Sequence, residues 1–393
     1  MAKVQKDQEY YDRIKEKFAS ERDLRLGYRP QGTDQYTSDF SGAKEKYGVD
    51  PYARSSNARE AINDSVEVLF IGGGFSALLT SARLREKGIE SIRIVERAGD
   101  VGGTWYWNRY PGVACDVISY DYLPLLDEMN YVPKRRYSGG EEILEHSRAI
   151  ARKYGLYDLA VFQTTVTSTV WNSDEKMWHV RTDRGDLMRA RFVVCANGTL
   201  SKPKLAKIEG IDEFSGHSFH TSRWDYDYTG KDLENLSDKR VGIIGTGATA
   251  VQAIPELGKR AKELFIFQRT PSSIDIRDDW ETDPEWASQR PKGWQAARRE
   301  KSLKAVEPSE SQLAEFATIS REEKIRRQEN ANIDYMMRNL AAGQDDAGLP
   351  VGQVLRQCVL SSMYFDEQQK LFATQFVAVV CRRIVERALA YGN

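Results

Sequence analysis

Cysteine is scarce in this 393-residue chain, and the four present, Cys115, Cys195, Cys358 and Cys381, are widely spread with no CxxC pair. That spacing argues against a redox dithiol and a zinc site, and it suits a reducing compartment. Histidine is equally sparse. Of the four, only His217 and His220 lie close together, and no carboxylate or cysteine cluster accompanies them, so no metal is expected. Neither charge dominates: 57 basic residues offset 58 acidic ones for a net −1, which gives no basis for a nucleic-acid surface. Long apolar runs are missing too, and Met1 leads into a charged, helix-prone run in place of a signal-peptide core. The expectation is a cytoplasmic protein of two or three domains, without a transmembrane segment.

Glycine is what the chain has in the right places. Val66–Ile71 is an apolar, β-branched run that ends in Gly72, Gly73 and Gly74. A helix pattern from Ala77 to Lys87 follows, then a second apolar strand, Ser91–Val95, which ends at Glu96. This is a strand–turn–helix–strand unit with the spacing of a dinucleotide cradle. Gly72 permits the tight turn, Gly74 lets backbone approach a pyrophosphate, and Ala77 keeps helix and strand close. Glu96, 24 positions after Gly72, is placed to accept hydrogen bonds from a ribose diol.

The same pattern returns at Arg240–Ile244, with Gly245, Gly247 and Ala250 at cradle spacing, a helix over Thr249–Arg260, and a strand over Glu263–Phe267. Here the position 24 residues on is Arg269. A planar cation suits a ribose 2′-phosphate where a carboxylate would repel it, so the second cradle reads as an NADP site. Between the cradles lie an amphipathic helix over Glu141–Tyr154 and three alternating runs from Phe162 to Ala196, an antiparallel insertion turning at Asp183–Asp186. The first 63 residues are polar and read as a solvated arm opening with a helix over Asp7–Leu26. Residues 278–339 read as charged helices with a solvated face.

Two further passages carry chemistry. Gly99–Tyr122 sets Gly102 and Gly103 before Trp105, Tyr106 and Trp107, a loop able to pass backbone and flat apolar surface against a planar ring; Asp116 stands just beyond its Tyr110-Pro111-Gly112 turn. Phe214–Asp225 reads FSGHSFHTSRWD and joins the two cradles.

With Phe214, Gly216, His220, Trp224 and Asp225 in place, that stretch resembles the fingerprint FxGxxxHxxxW(P/D) of the Baeyer–Villiger monooxygenases, a group of class B flavoprotein monooxygenases. The GGTWYWNRYPG passage is also similar to that family, and the resemblance runs from residue 66 to about 290. It implies an α/β fold of two Rossmann-type domains. FAD would lie against Gly72, Gly74, Glu96, Gly103, Thr104, Trp105 and the neighbouring Asp116. NADPH would lie against Gly245, Thr246, Gly247 and Arg269. It further implies that NADPH reduces the flavin, that O₂ is then taken up, and that oxygen is inserted beside a ketone carbonyl to give an ester or lactone, often in secondary metabolism. His220 and Trp224 would act on the linker, and Asp116 matches the carboxylate that orients a catalytic arginine. Ser361 falls near the position of that arginine, and no spacing singles out Arg356, Arg382 or Arg383 as its substitute.

The organisation expected from these readings is an extension over 1–63, a flavin domain over 64–235 and an NADP domain with a helical insertion over 236–393. Two alternatives share the pattern: an N- or S-oxygenating flavin monooxygenase, and a non-catalytic nucleotide-binding homologue.

Overall fold

The computed structural model describes residues 7–27, 36–37, 40–53, 59–268 and 278–304, with a few positions between 318 and 326. Arg269 and all the sequence considered for the catalytic arginine, Arg356, Ser361, Arg382 and Arg383, lie outside the described residues.

The first cradle sits on a six-stranded mixed sheet. Its strands are β1 (Asn63–Ile71), β2 (Ile92–Val95), β3 (Ala160–Val161), β4 (Val166–Asn172), β5 (Met177–Thr182) and β6 (Leu187–Cys195). They are ordered β3-β2-β1-β6-β5-β4. β3, β2, β1 and β6 run parallel, and β6, β5 and β4 form an antiparallel meander. The third alternating run therefore belongs to both: β6 pairs with β1 from Leu187 to Cys195 and with β5 from Leu187 to Ala190.

β1 is apolar at consecutive positions because both its faces are covered, as befits the middle of a parallel sheet. Phe70 packs on α1 (Phe75–Glu86) and α2 (Gly140–Lys153) through Ala77, Leu78, Ile150 and Ala151, while Leu69 packs on Val180, Met188 and Ala190 of the meander. The amphipathic face expected for α2 is the buried one, with Ile143, Leu144, Ile150 and Ala151 all inside. Trp171 and Trp178 form an edge-to-face cross-strand pair at 5.5 Å, a sheet-packing role.

The second cradle is built on two parallel strands, β7 (Arg240–Ile244) and β8 (Glu263–Phe267), with α3 (Ala248–Arg260) between them in sequence. One face of this layer packs on α3; Ile244, Phe265 and Phe267 are exposed.

Two expectations need correction. The arm is not simply solvated. Tyr36–Thr37 pairs with Leu205–Ala206, Tyr47 is buried, and Lys46 and Tyr47 both reach Ser218 at 2.9 Å. Arg59 grips Asp186 with two 2.6 Å bonds. Likewise α4 (Trp294–Lys304), from the charged stretch, is docked by its first turn. Gln295 is buried and bonds Leu126 N–H and the carbonyls of Tyr120 and Leu123, and Asp127 accepts from Gly293, Gln295 and Ala296 N–H groups. Polar composition hid both attachments because each joins isolated polar groups and a few aromatics, Tyr52 on Tyr106 and Trp294 on Tyr120, without an apolar stripe.

Among the described residues no helix is long and apolar enough to cross a membrane, and no group of three histidine, cysteine or carboxylate side chains is gathered to hold a metal.

Candidate functional site

The first cradle is shaped by backbone proximity. Gly72 has φ +109°, and its N–H donates to Val95 O at 2.8 Å, closing β1 against β2. Gly74 caps α1 without any side-chain bond to the helix, so the first-turn N–H groups point outward as an anion site would require. Across from it, a Cβ on Gly74 would lie 3.5 Å from Gly103 Cα, so the glycine turn and the aromatic loop converge backbone to backbone. Ala77, fully buried, allows the close helix–strand approach. Glu96 is buried at the end of β2, where Oε2 accepts Gly73 N–H at 2.5 Å and Oε1 accepts Ala98 N–H at 2.7 Å. Burial pushes its carboxyl upward, against the pull of those two N–H groups.

The loop beyond supplies the wall. Thr104–Trp107 forms one helical turn with Thr104 exposed and three buried aromatics. Trp105 donates to Tyr122 OH at 2.9 Å, on the side where Phe75 also packs. Tyr106 turns the opposite way, and its hydroxyl donates to Asp50 of the arm at 2.8 Å. Asp116 is exposed on the segment after Gly112; it raises the Tyr122 hydroxyl pKa electrostatically, after the larger effect of burial. No described residue hydrogen-bonds its carboxylate.

The second cradle repeats the scheme with more open space. Gly245 has φ +98° and donates to Phe267 O at 2.9 Å, as Gly72 does to Val95. Among the described residues nothing lies within 4 Å of a Cβ built on Gly245 or Gly247, and Gly247 caps α3 with no side-chain bond. Ala250 is buried against the strands. The strand register refines the residue count. Ile71 pairs with Val95 and Ile244 with Phe267, so Gln268 stands where Glu96 does. Gln268 Nε2 donates to Thr246 Oγ1 at 3.0 Å, the counterpart of the Glu96–Gly73 bond. The carboxylate is still absent, and a neutral amide takes its place.

The fingerprint binds the two cradles together. Trp224 is buried with Leu233, Leu236, Ala250 and Ala253, and its indole N–H donates to Thr229 Oγ1 at 3.1 Å. Tyr110, from the aromatic loop, lies in the same cluster, and its hydroxyl donates to Gln252 of α3 at 2.9 Å. Gln252 also donates to Ala114 O at 3.0 Å. Gly112 passes so close that a Cβ there would sit 2.5 Å from Gln252 O. Gln252, Asp50 and Arg223 are structural contributors that no motif marked; only the last sits inside one.

His220 is an organiser of its own turn. Its Nδ1 accepts from Ser222 N–H at 3.1 Å and from the Ser222 hydroxyl at 2.8 Å. Burial, then the neighbouring Arg223, push its pKa down to about 4, so the ring is neutral at pH 7. The folded-state value lies below the ordinary histidine value, so the unfolded chain binds the proton more tightly. The stabilisation is present above about pH 6.5 and is lost as pH falls toward 4. A His220→Asn variant should flatten that part of the stability–pH profile, read by urea unfolding between pH 4 and 7.

Residues 69–334 match the family model described as pyridine nucleotide-disulphide oxidoreductase. Among curated relatives, neopentalenolactone D synthase of Streptomyces avermitilis is 52% identical over 290 residues, covering 72% of this chain and 48% of that protein. A Baeyer–Villiger monooxygenase of Streptomyces coelicolor is 47% identical over 300 residues, covering 75% and 49%. The chain belongs to this oxidoreductase family, in its Baeyer–Villiger monooxygenase branch. A solved member of that branch, the polycyclic ketone monooxygenase of the fungus Thermothelomyces thermophila, superposes with a TM-score of 0.72 at 32% identity, over 87% of this chain and 62% of that one. The chain spans about half the length of the curated Baeyer–Villiger relatives it matches. The disulphide chemistry in the wider family's name has no counterpart among the described cysteines, since neither buried Cys115 nor exposed Cys195 forms a disulphide.

Proposed function

We propose that this chain carries the FAD- and NADPH-binding portion of a Baeyer–Villiger monooxygenase, acting in the cytoplasm on a ketone of secondary metabolism with O₂ as co-substrate. The observation that carries this reading is the paired cradle, locked together through Tyr110, Gln252 and Trp224. In the same reading residues 64–235 form the flavin domain and 236–393 the NADP domain.

The residues present fit both groups. Gly72–Gly74, Gly103 and the free N–H groups of α1 would receive the FAD pyrophosphate, Glu96 its ribose, and Trp105 would wall the ring system. Gly245–Gly247 and α3 would receive the NADPH pyrophosphate. Gln268 leaves room for a 2′-phosphate that a carboxylate would repel, and Arg269 would pair with it. Bound flavin supplies the oxygen chemistry; the chain positions it and keeps water from it. Asp116, exposed beside the loop, would orient a guanidinium near the reacting centre.

Reconstitution tests the reading. Purified chain with added FAD is expected to hold a flavin absorbance band that bleaches with NADPH and returns in air. Protein that retains no flavin at saturating FAD overturns it. Paired ketone and thioether substrates then separate oxygen insertion from S-oxygenation by product analysis.

A further inference from the structure

Trp107 closes the aromatic turn and lies under two cations. The Arg223 guanidinium stands 3.8 Å from its ring centroid and that of Arg97 5.1 Å. Both cations donate to one carbonyl, Ser201 O, at 3.2 and 2.7 Å. Arg223 is 2% exposed, and its other donors go to Val49 O of the arm at 3.1 Å and to Ser222 O at 2.8 Å. A buried cation held by carbonyls and a π face, with no carboxylate bonded to it, depends on the planar fork of a guanidinium; an ammonium reproduces the charge but not the geometry.

The position of this node is what gives it consequence. Arg97 directly follows Glu96 of the first cradle, and Trp107 ends the turn that begins at Gly103 and Thr104. Trp224 directly follows Arg223 and is seated among Ala250 and Ala253 of α3, behind the second cradle. Neighbouring residues of the fingerprint thus pack against elements of different cradles, Arg223 on Trp107 and Trp224 on α3, with extended backbone at Trp224 (φ −61°, ψ 127°).

We propose that Arg223 is a positioning residue that couples nucleotide binding at the second cradle to the geometry of the first, through the face of Trp107. The inference rests on the function proposed above. Its mechanical content is that a shift of α3 moves Trp224, Trp224 moves Arg223, and Arg223 carries Trp107 with the cofactor loop. Asp50, next to the Val49 that accepts from Arg223, ties the same loop to the arm, accepting from Gly99 N–H at 3.1 Å and Tyr106 OH at 2.8 Å.

The test is a linkage measurement. FAD is titrated into apo chain with and without saturating NADP⁺. The wild type is expected to show a ratio of FAD dissociation constants that departs from one by about fivefold or more, as coupled sites do. Arg223→Lys and Trp107→Phe should each bring the ratio to within twofold of one while each nucleotide still binds. A merely structural role lowers both affinities and leaves the ratio at its wild-type value, and that result overturns the proposal. So does a wild-type ratio of one, which leaves the flavin assignment intact. If the wild type takes up no FAD, the functional reading fails, and hydrogen exchange of the nucleotide-free chain decides the node separately. Arg223→Lys should then speed exchange over residues 99–110 about tenfold, and unchanged exchange there overturns the inference.

Discussion

A Gly72→Ala variant is expected to lose flavin binding by about 100-fold or more, equivalent to about 2.7 kcal/mol, and to lose folding stability as well. The reason is geometric. The residue has φ +109°, outside the range that L side chains adopt, and the added Cβ would lie 2.5 Å from Ala196 O and 2.8 Å from Ala196 C, both backbone atoms of the neighbouring strand's end. Backbone cannot swing aside as a side chain can, so β1 and β6 must separate just where the pyrophosphate would sit. Strain of this kind costs about 1–3 kcal/mol before any clash is counted. Gly88→Ala is the matched control: φ is +80°, but among the described residues nothing lies within 4 Å of the added carbon. That variant should lose about 1 kcal/mol from the backbone term alone and keep its flavin affinity. Equilibrium dialysis with FAD and urea melts of both variants check the pair. Equal losses would show that strain, not the approach of Ala196, governs the cradle.

The second large effect is expected at Asp186, which Arg59 links to Thr164 and so to the carbonyl of Glu96. Its side chain is fully buried and its oxygens are all engaged, by the Arg59 fork at 2.6 Å twice, Ile62 N–H at 2.8 Å and the Thr182 hydroxyl at 2.6 Å. Replacing it with alanine strands Arg59 and leaves two other donors unpaired, which should cost about 3–5 kcal/mol. Burial alone would push this carboxyl up, but Arg59, the Ile62 N–H and Thr182 outweigh it and hold the value down to about 2. The folded-state value is therefore depressed relative to an ordinary aspartate near 3.9. The stabilisation is complete above about pH 4 and is lost as pH falls through about 2. Acid unfolding should accordingly begin at higher pH in Arg59→Met, whose Asp186 has lost its main partner. A double variant, Arg59→Met with Asp186→Leu, should recover part of the single-variant losses, since no buried charge is then left alone. Additive losses in the double variant would show that the pair is not coupled.

The sequence carried the parts of the fold whose signal is local. β8 was readable to its residues because four apolar positions, Leu264 to Phe267, lie between Glu263 and Gln268, and α2 because its buried positions repeat at helical spacing. Gly72 and Gly245 were legible because their φ values of +109° and +98° favour glycine, so the chain declares them where the turns need them. The arm was not legible. Its attachments join residues far apart in sequence, Lys46 to Ser218 and Arg59 to Asp186, through single polar contacts that no periodicity announces. Counting along the chain placed Arg269 opposite Glu96, whereas pairing of β7 with β8 puts Gln268 there, because the strand ends and not the residue count fix the register. Arg223 is not legible as a node in the sequence, since its partners Trp107 and Ser201 are brought to it only by folding.

The two-stranded β7–β8 layer has a consequence for how the molecule comes apart. A parallel pair with Ile244, Phe265 and Phe267 open to solvent has little cohesion of its own, because a two-stranded sheet is marginal in water. Among the described residues its apolar support comes from α3 and, through α3, from Tyr110 and Trp224. The second cradle and the fingerprint should therefore open as one cooperative unit, at a free energy below that of the six-stranded sheet. Native-state hydrogen exchange would show residues 224, 243, 250 and 253 sharing a single opening energy, with β1 and β6 protected long after they have exchanged.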